Sequence, residues 1–136
     1  MTYTFGLDTF GDRNAGADGR PLSHAQTIRN VVEEGVFAEQ AGVDFFGIGE
    51  HHTDYFPMPA GDVALAAIAA RTERIRLGSA VTVLSSDDPV RVFQRYSTLN
   101  AVSGAGRASN RSRCSATTSP TTRSSSRRRP PCSPSC

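Results

Sequence analysis

The chain has 136 residues, a length that suits one domain or part of a larger one. Residues 1–104 contain all thirteen acidic residues and eight arginines, whereas residues 105–136 contain seven arginines, all three cysteines and no acidic residue. Residues 1–104 therefore hold neither a disulfide framework nor a thiolate nucleophile, and the absence of a signal peptide and of a membrane-length apolar run predicts a cytoplasmic protein with no membrane partner.

Three strand–helix units follow one another along residues 3–104. The predicted strands are apolar runs rich in aromatic or β-branched residues, and the predicted helices have apolar residues at helical spacing. In chain order, the predicted elements are a strand at 3–8, a helix between Pro21 and Gly42, a strand at 43–49, a helix at 61–73, a strand at 74–86 and a helix at 87–104. Ser23 marks the start of the first helix, and either Asp87 or Asp88 is the predicted cap of the third. This alternation predicts a parallel α/β fold. A (β/α)8 TIM barrel needs about 250 residues, so we expect a partial barrel made of the first three βα units.

Three ionisable residues follow the second predicted strand directly. Glu50, His51 and His52 come at the point where the apolar run FFGIG ends. In parallel α/β folds the active site lies at the carboxyl ends of the strands, so this position favours a functional role. A capping or solvated loop is the structural alternative for the same three residues.

A metal site is not predicted for these histidines. Neighbouring residues on an extended chain point in opposite directions, so His51 and His52 are poorly placed to bind one ion together. The remaining histidine, His24, is expected near a helix start on the far side of a strand. The segment GIG at 47–49 lacks the third glycine and the following helix of a dinucleotide-binding fingerprint.

Three segments together resemble one protein family. They are GIGEHH at 47–52, ALAAIAARTERIRLGSAVTVLSSDDPVRV at 64–92 and LNAVSG at 99–104. They are similar to the bacterial luciferase-like flavin monooxygenases, and the resemblance covers nearly all of residues 3–104. It implies a (β/α)8 barrel that uses reduced FMN and molecular oxygen to oxidise a small organic substrate.

The resemblance also implies roles for particular residues. His51 matches the family's catalytic histidine, and an imidazole that titrates near neutral pH suits a proton donor or acceptor beside the flavin. Glu50 matches a residue that lines the flavin pocket. Ala80 and Val81 match a pair that a non-proline cis peptide joins under the flavin ring, where the structural alternative is an ordinary trans bond within a strand.

Cofactor and partners follow from the same resemblance. FMN is the expected cofactor, and a flavin reductase is expected to supply it in reduced form. Other members of the superfamily bind a deazaflavin and transfer hydride, which is the alternative enzyme class. A dimer formed through the helices after the second and third strands is expected. No metal is expected.

The segment 105–136 differs in composition from the rest of the chain. It contains no Val, Ile, Leu, Met, Phe, Tyr or Trp. Reading residues 114–128 one nucleotide out of frame permits an aromatic and acidic sequence. We therefore interpret 105–136 as an out-of-frame tail, predicted to be disordered, on a fragment that is itself inactive. The alternative is a non-catalytic product whose arginines bind nucleic acid, and salt-dependent DNA binding that disappears without the tail would distinguish it.

Overall fold

The computed structural model describes residues 3–104 and 114–118. Its helices and strands, in chain order, are β1 (Gly6–Thr9), α1 (His24–Gln40), β2 (Phe45–Ile48), β3 (His51–His52), β4 (Pro57–Met58), α2 (Gly61–Ala69), β5 (Arg76–Thr82), α3 (Pro89–Val102) and β6 (Cys114–Thr118). No helix within these residues is long and apolar enough to cross a membrane.

Four strands form a parallel sheet in the order β1-β2-β5-β6. Gly6 pairs with Phe45, and Phe45 pairs with Arg76, so the first three strands start in line. Each of these strands is followed by a helix before the next strand joins the sheet. This arrangement confirms the predicted α/β fold with three successive βα units.

The strand β6 corrects the prediction that the whole of 105–136 is disordered. It pairs in parallel with β5, with Leu77 opposite Cys114 and Thr82 opposite Thr118. The edge of β5 offers backbone N–H and C=O groups, which an extended segment can bond without large apolar side chains. Threonine is also favoured in strands because it is β-branched. Residues 105–113 and 119–136, to which the rest of that prediction applies, lie outside the described residues.

The helices pack over one face of the sheet and bury a single apolar core. Its most enclosed side chains come from the sheet, from α2 and from the segments that lead into them: Ile48, Met58, Leu65, Ile68, Ile75 and Leu77. Helices α1 and α2 approach closely at Gly35, where an added Cβ would lie 2.5 Å from Cδ1 of Ile68. A glycine at this position of α1 therefore sets the distance between the two helices.

Side chains at the predicted caps begin two of the helices. The Ser23 hydroxyl accepts a hydrogen bond from the backbone N–H of Gln26 at 3.2 Å, and Asp88 Oδ1 accepts from the N–H of Val90 at 2.8 Å. The sequence left Asp87 and Asp88 as alternative caps for α3. Asp88 is the cap, because Asp87 is instead paired with the Arg95 side chain.

Helix α2 ends at Ala69, earlier than predicted, because the following backbone bonds to another helix. The carboxylate of Glu39, near the end of α1, accepts hydrogen bonds from the N–H groups of Glu73 at 3.0 Å, Arg74 at 2.6 Å and Ile75 at 2.7 Å. Burial raises the pKa of the Glu39 carboxyl group, but these backbone donors outweigh it and hold the pKa below its ordinary value of 4.5. The contact fastens α1 to the turn before β5.

Candidate active site at the carboxyl ends of the strands

Glu50 joins the ends of β2 and β5. Its backbone N–H donates to the carbonyl oxygen of Val81 at 2.9 Å. Its side-chain oxygen Oε2 accepts a hydrogen bond from the N–H of Val83 at 2.9 Å. The structure thus brings the two predicted groups of site residues to the same edge of the sheet, although they are about thirty residues apart in the chain.

The peptide bond between Ala80 and Val81 is cis. The resemblance predicted this bond, and the structure confirms it. The two residues lie near the end of β5, beside the point where Glu50 leaves β2.

Both carboxylate oxygens of Glu50 have partners within the chain. Besides the bond to Val83, Oε1 lies 2.8 Å from Nε2 of His52. Only 14% of the Glu50 side chain is exposed, against 54% for His52. The carboxylate therefore binds other parts of the site, and the predicted role of Glu50 in lining the flavin pocket stays a prediction.

His51 packs in a cluster with two aromatic rings. The Phe10 ring meets it edge-on, with ring centroids 4.6 Å apart and an interplanar angle of 86°. The Phe56 ring lies on another side at 5.2 Å and 41°. His51 also pairs with Met58 in the short antiparallel ladder of β3 and β4. Packing thus fixes the half-buried imidazole at the end of the sheet.

The position of His24 differs from the one predicted. It lines a surface cavity of about 380 Å³ together with His51 and His52, so all three histidines of the chain meet there. The start of α1 reaches this edge because the loop before it runs past the ends of the strands. His24 Nε2 lies 3.9 Å from Oδ1 of Asp54, which is too far for a hydrogen bond. Among residues 3–104 and 114–118, no three metal-ligating side chains are grouped to hold an ion.

Two glycines next to the cis bond make room for side chains that pack over the backbone. A Cβ added to Gly49 would collide with the Phe10 ring and lie 3.1 Å from the carbonyl oxygen of Ala80. One added to Gly47 would collide with Oδ1 of Asp8 and lie 3.0 Å from Cβ of Ala80. The Phe10 ring and the Asp8 carboxylate therefore lie against the end of β2, close to Ala80.

A second polar cluster was not predicted from the sequence. Arg95 on α3 binds Asp62 on α2, with Nε 2.5 Å from Oδ2, and also binds Asp87. Nearby, the Tyr96 hydroxyl lies 3.3 Å from Oγ1 of Thr82, and burial raises the pKa of this phenol. With Glu50 and Val81, these residues line a cavity of about 290 Å³.

Comparison with known proteins shows one consistent relationship. The family described as luciferase-like monooxygenase matches residues 9–109. The N-acetyl-S-alkylcysteine monooxygenase of Bacillus subtilis (strain 168) is 31% identical over 85 residues, which are 62% of this chain and 25% of that protein. The uncharacterized protein y4vJ of Sinorhizobium fredii (strain NBRC 101917 / NGR234) is 35% identical over 85 residues, covering 62% and 24%.

Solved structures show the same fold. The oxygenating constituent of the 3,6-diketocamphane monooxygenase of Pseudomonas putida, a Baeyer-Villiger monooxygenase in complex with FMN, superposes with a TM-score of 0.65 at 22% identity, over 75% of this chain and 27% of that one. The monooxygenase RslO1 of Streptomyces bottropensis gives a TM-score of 0.63 at 22% identity, over 74% and 30%. The chain spans about a quarter of the length of the curated relatives it matches. It belongs to the luciferase-like monooxygenase family.

Proposed function

We propose that this chain supplies the first part of the active site of an FMN-dependent monooxygenase, which uses reduced flavin and molecular oxygen to oxidise a small organic substrate. The observation that supports the proposal most directly is the pair of hydrogen bonds that join Glu50 to Val81 and Val83. It holds the segment that contains His51 against the end of β5, where the cis bond lies.

The flavin would lie against Ala80 and Val81. The cis peptide bond between these residues and their place near the carboxyl end of β5 support this placement. Bound reduced FMN would supply the electrons that activate molecular oxygen. The chain's own contribution is to position the ring and to exclude water from one side of it.

His51 would donate or accept a proton beside the flavin. Phe10 and Phe56 contact its ring, so they restrict its orientation and shield part of it from water. A fixed imidazole is better suited to proton transfer than a mobile one, because the distance to the reacting atom is set in advance.

The proposed partners are a flavin reductase, a second copy of the enzyme and a small-molecule substrate, all in the cytoplasm. Exposed apolar side chains support the dimer: Val63 on α2 is 69% exposed, and Phe93 and Val102 on α3 are each 71% exposed. Large apolar side chains in this number on adjoining helices are typical of an interaction surface.

A chimaeric enzyme tests the proposal. Residues 9–104 would replace the matching segment of the Bacillus subtilis N-acetyl-S-alkylcysteine monooxygenase, with the unmodified relative as control. We expect the folded chimaera to bind FMN, measured by quenching of flavin fluorescence, and to consume oxygen when a flavin reductase supplies reduced FMN. A folded chimaera that binds a deazaflavin and not FMN would favour hydride transfer instead, and one that binds neither would refute the proposal.

A further inference from the structure

The carboxylate of Glu50 contacts two groups that differ in whether they can donate or accept a hydrogen bond. The N–H of Val83 can only donate, so the oxygen that it contacts must be an acceptor. The imidazole nitrogen Nε2 of His52 lies 2.8 Å from the other oxygen, and it can either donate or accept. An ionised carboxylate has no proton to give, so this contact is a hydrogen bond only if His52 carries its proton on Nε2.

We propose that Glu50 is a positioning residue that fixes the tautomer of His52. It holds the proton on Nε2 and leaves Nδ1 as the basic nitrogen, which takes up and releases protons on the solvent side of the site. About half of the His52 side chain is exposed, so the ring is in contact with water. The role in proton exchange rests on the proposed function, whereas the tautomer does not.

Among the described residues around His52, none is a better hydrogen-bond partner for its ring than Glu50. The other ionisable groups that line the same cavity are His24, His51 and Asp54. Asp54 lies nearest to His24, and the His51 ring is packed against two phenylalanines. The Glu50 carboxylate is the charged group in hydrogen-bond contact with the His52 ring among residues 3–104.

The isosteric substitution Glu50→Gln is expected to invert the tautomer. The N–H of Val83 continues to require an oxygen, so the amide oxygen of the glutamine takes the place of Oε2. The amide NH2 group then faces Nε2 of His52 and donates to it. Nε2 becomes the acceptor, and the proton of the neutral ring moves to Nδ1.

The tautomer can be read in the full 136-residue chain by NMR of ¹⁵N-labelled histidine. At mildly alkaline pH, above the ordinary histidine pKa of about 6.5, the ¹⁵N shifts of each ring show which nitrogen carries the proton. In the parent we expect Nε2–H at His52, and in Glu50→Gln we expect the ratio of the two tautomers to change by about fivefold or more towards Nδ1–H, the factor given by one net hydrogen bond.

Two further variants control the result. Asp54→Asn makes the same chemical change in the pair with His24, whose atoms are 3.9 Å apart, so the His24 tautomer should not change. Glu50→Ala removes both contacts, and we expect faster hydrogen exchange at the Val83 amide than in the parent or in Glu50→Gln.

Two results would overturn the inference. One is a parent chain in which His52 has no preference for Nε2–H, and the other is an unchanged His52 tautomer in Glu50→Gln. Neither measurement contains flavin or substrate. The tautomer inversion can therefore be observed even if the chimaera fails to bind FMN. If the inversion is not observed, the inference is wrong even if the chimaera is active.

Discussion

Replacing Glu39 by alanine is expected to destabilise the chain more than its position near the surface suggests. The carboxylate accepts hydrogen bonds from three successive backbone N–H groups, at 2.6 to 3.0 Å. Each bond to a charged acceptor contributes about 1.5–3 kcal/mol when it is shielded, but solvent screening of this half-buried group reduces that to less than about 1 kcal/mol. Removing all three hydrogen bonds lowers the free energy of unfolding by about 2 kcal/mol, which lowers Tm by roughly 10 °C in a domain of this size.

The contribution of Glu39 to stability is expected to depend on pH in a definite direction. The pKa of Glu39 is lower in the folded chain than its ordinary value of 4.5. A group with a lowered pKa stabilises the fold fully above its unfolded pKa, and this contribution is lost as the pH falls through the folded pKa. The difference in stability between the parent and Glu39→Ala should therefore be constant at neutral pH and should shrink once the pH falls below about 4.5.

Thermal unfolding followed by circular dichroism at pH 7 and at acidic pH measures this difference. The matched control is Glu33→Ala on the same helix, which breaks only an exposed ion pair with Arg71 and should change Tm much less. The reasoning is wrong if Glu39→Ala and Glu33→Ala have the same Tm at pH 7. It is also wrong if the difference in Tm between the parent and Glu39→Ala is the same at acidic pH as at pH 7.

Three further changes test other parts of the structure. In the chimaeric enzyme, His51→Ala should reduce oxygen insertion by about 10²–10⁴-fold and leave FMN binding largely intact, and equal activity would remove the assignment. Gly35→Ala should lower the free energy of unfolding by about 1 kcal/mol, because the overpacking of the new Cβ against Ile68 exceeds the roughly 1 kcal/mol that alanine gains over glycine in a helix, and an unchanged denaturation midpoint would contradict this close packing. Tyr96→Phe should cost about 1 kcal/mol through the lost contact with Thr82, as measured by urea unfolding, and a stability gain would contradict it.

The sequence predicted the features whose signals are local. Ser23 and Asp88 mark helix starts because a capping side chain bonds to backbone only two or three residues away. The apolar run before Glu50 predicted a buried strand, which the structure contains, and the carboxyl end of that strand is where we place the candidate site. The cis bond between Ala80 and Val81 came only from the family resemblance, since nothing in the composition of β5 indicates it.

Features that depend on distant contacts were not predictable. The backbone donors bound by Glu39 lie 34 to 36 residues further along the chain. The packing of His51 requires Phe10, which directly follows β1 and is far from His51 in the sequence. The position of His24 depends on the path of the loop before α1. The strand at Cys114–Thr118 pairs with the edge of β5 through backbone groups. Because such pairing needs no apolar pattern, the sequence does not indicate it.

The hydrogen bond between Val83 and Glu50 joins two residues in the early part of the chain, and this bears on the order of events during synthesis. Protein chains emerge from the ribosome N-terminal end first, so contacts between early segments can form before later segments are made. We therefore expect this corner of the site to assemble once α3 has emerged, before any later strand of a complete barrel is made. The remaining strands of a full-length relative would then close around a corner that is already in place.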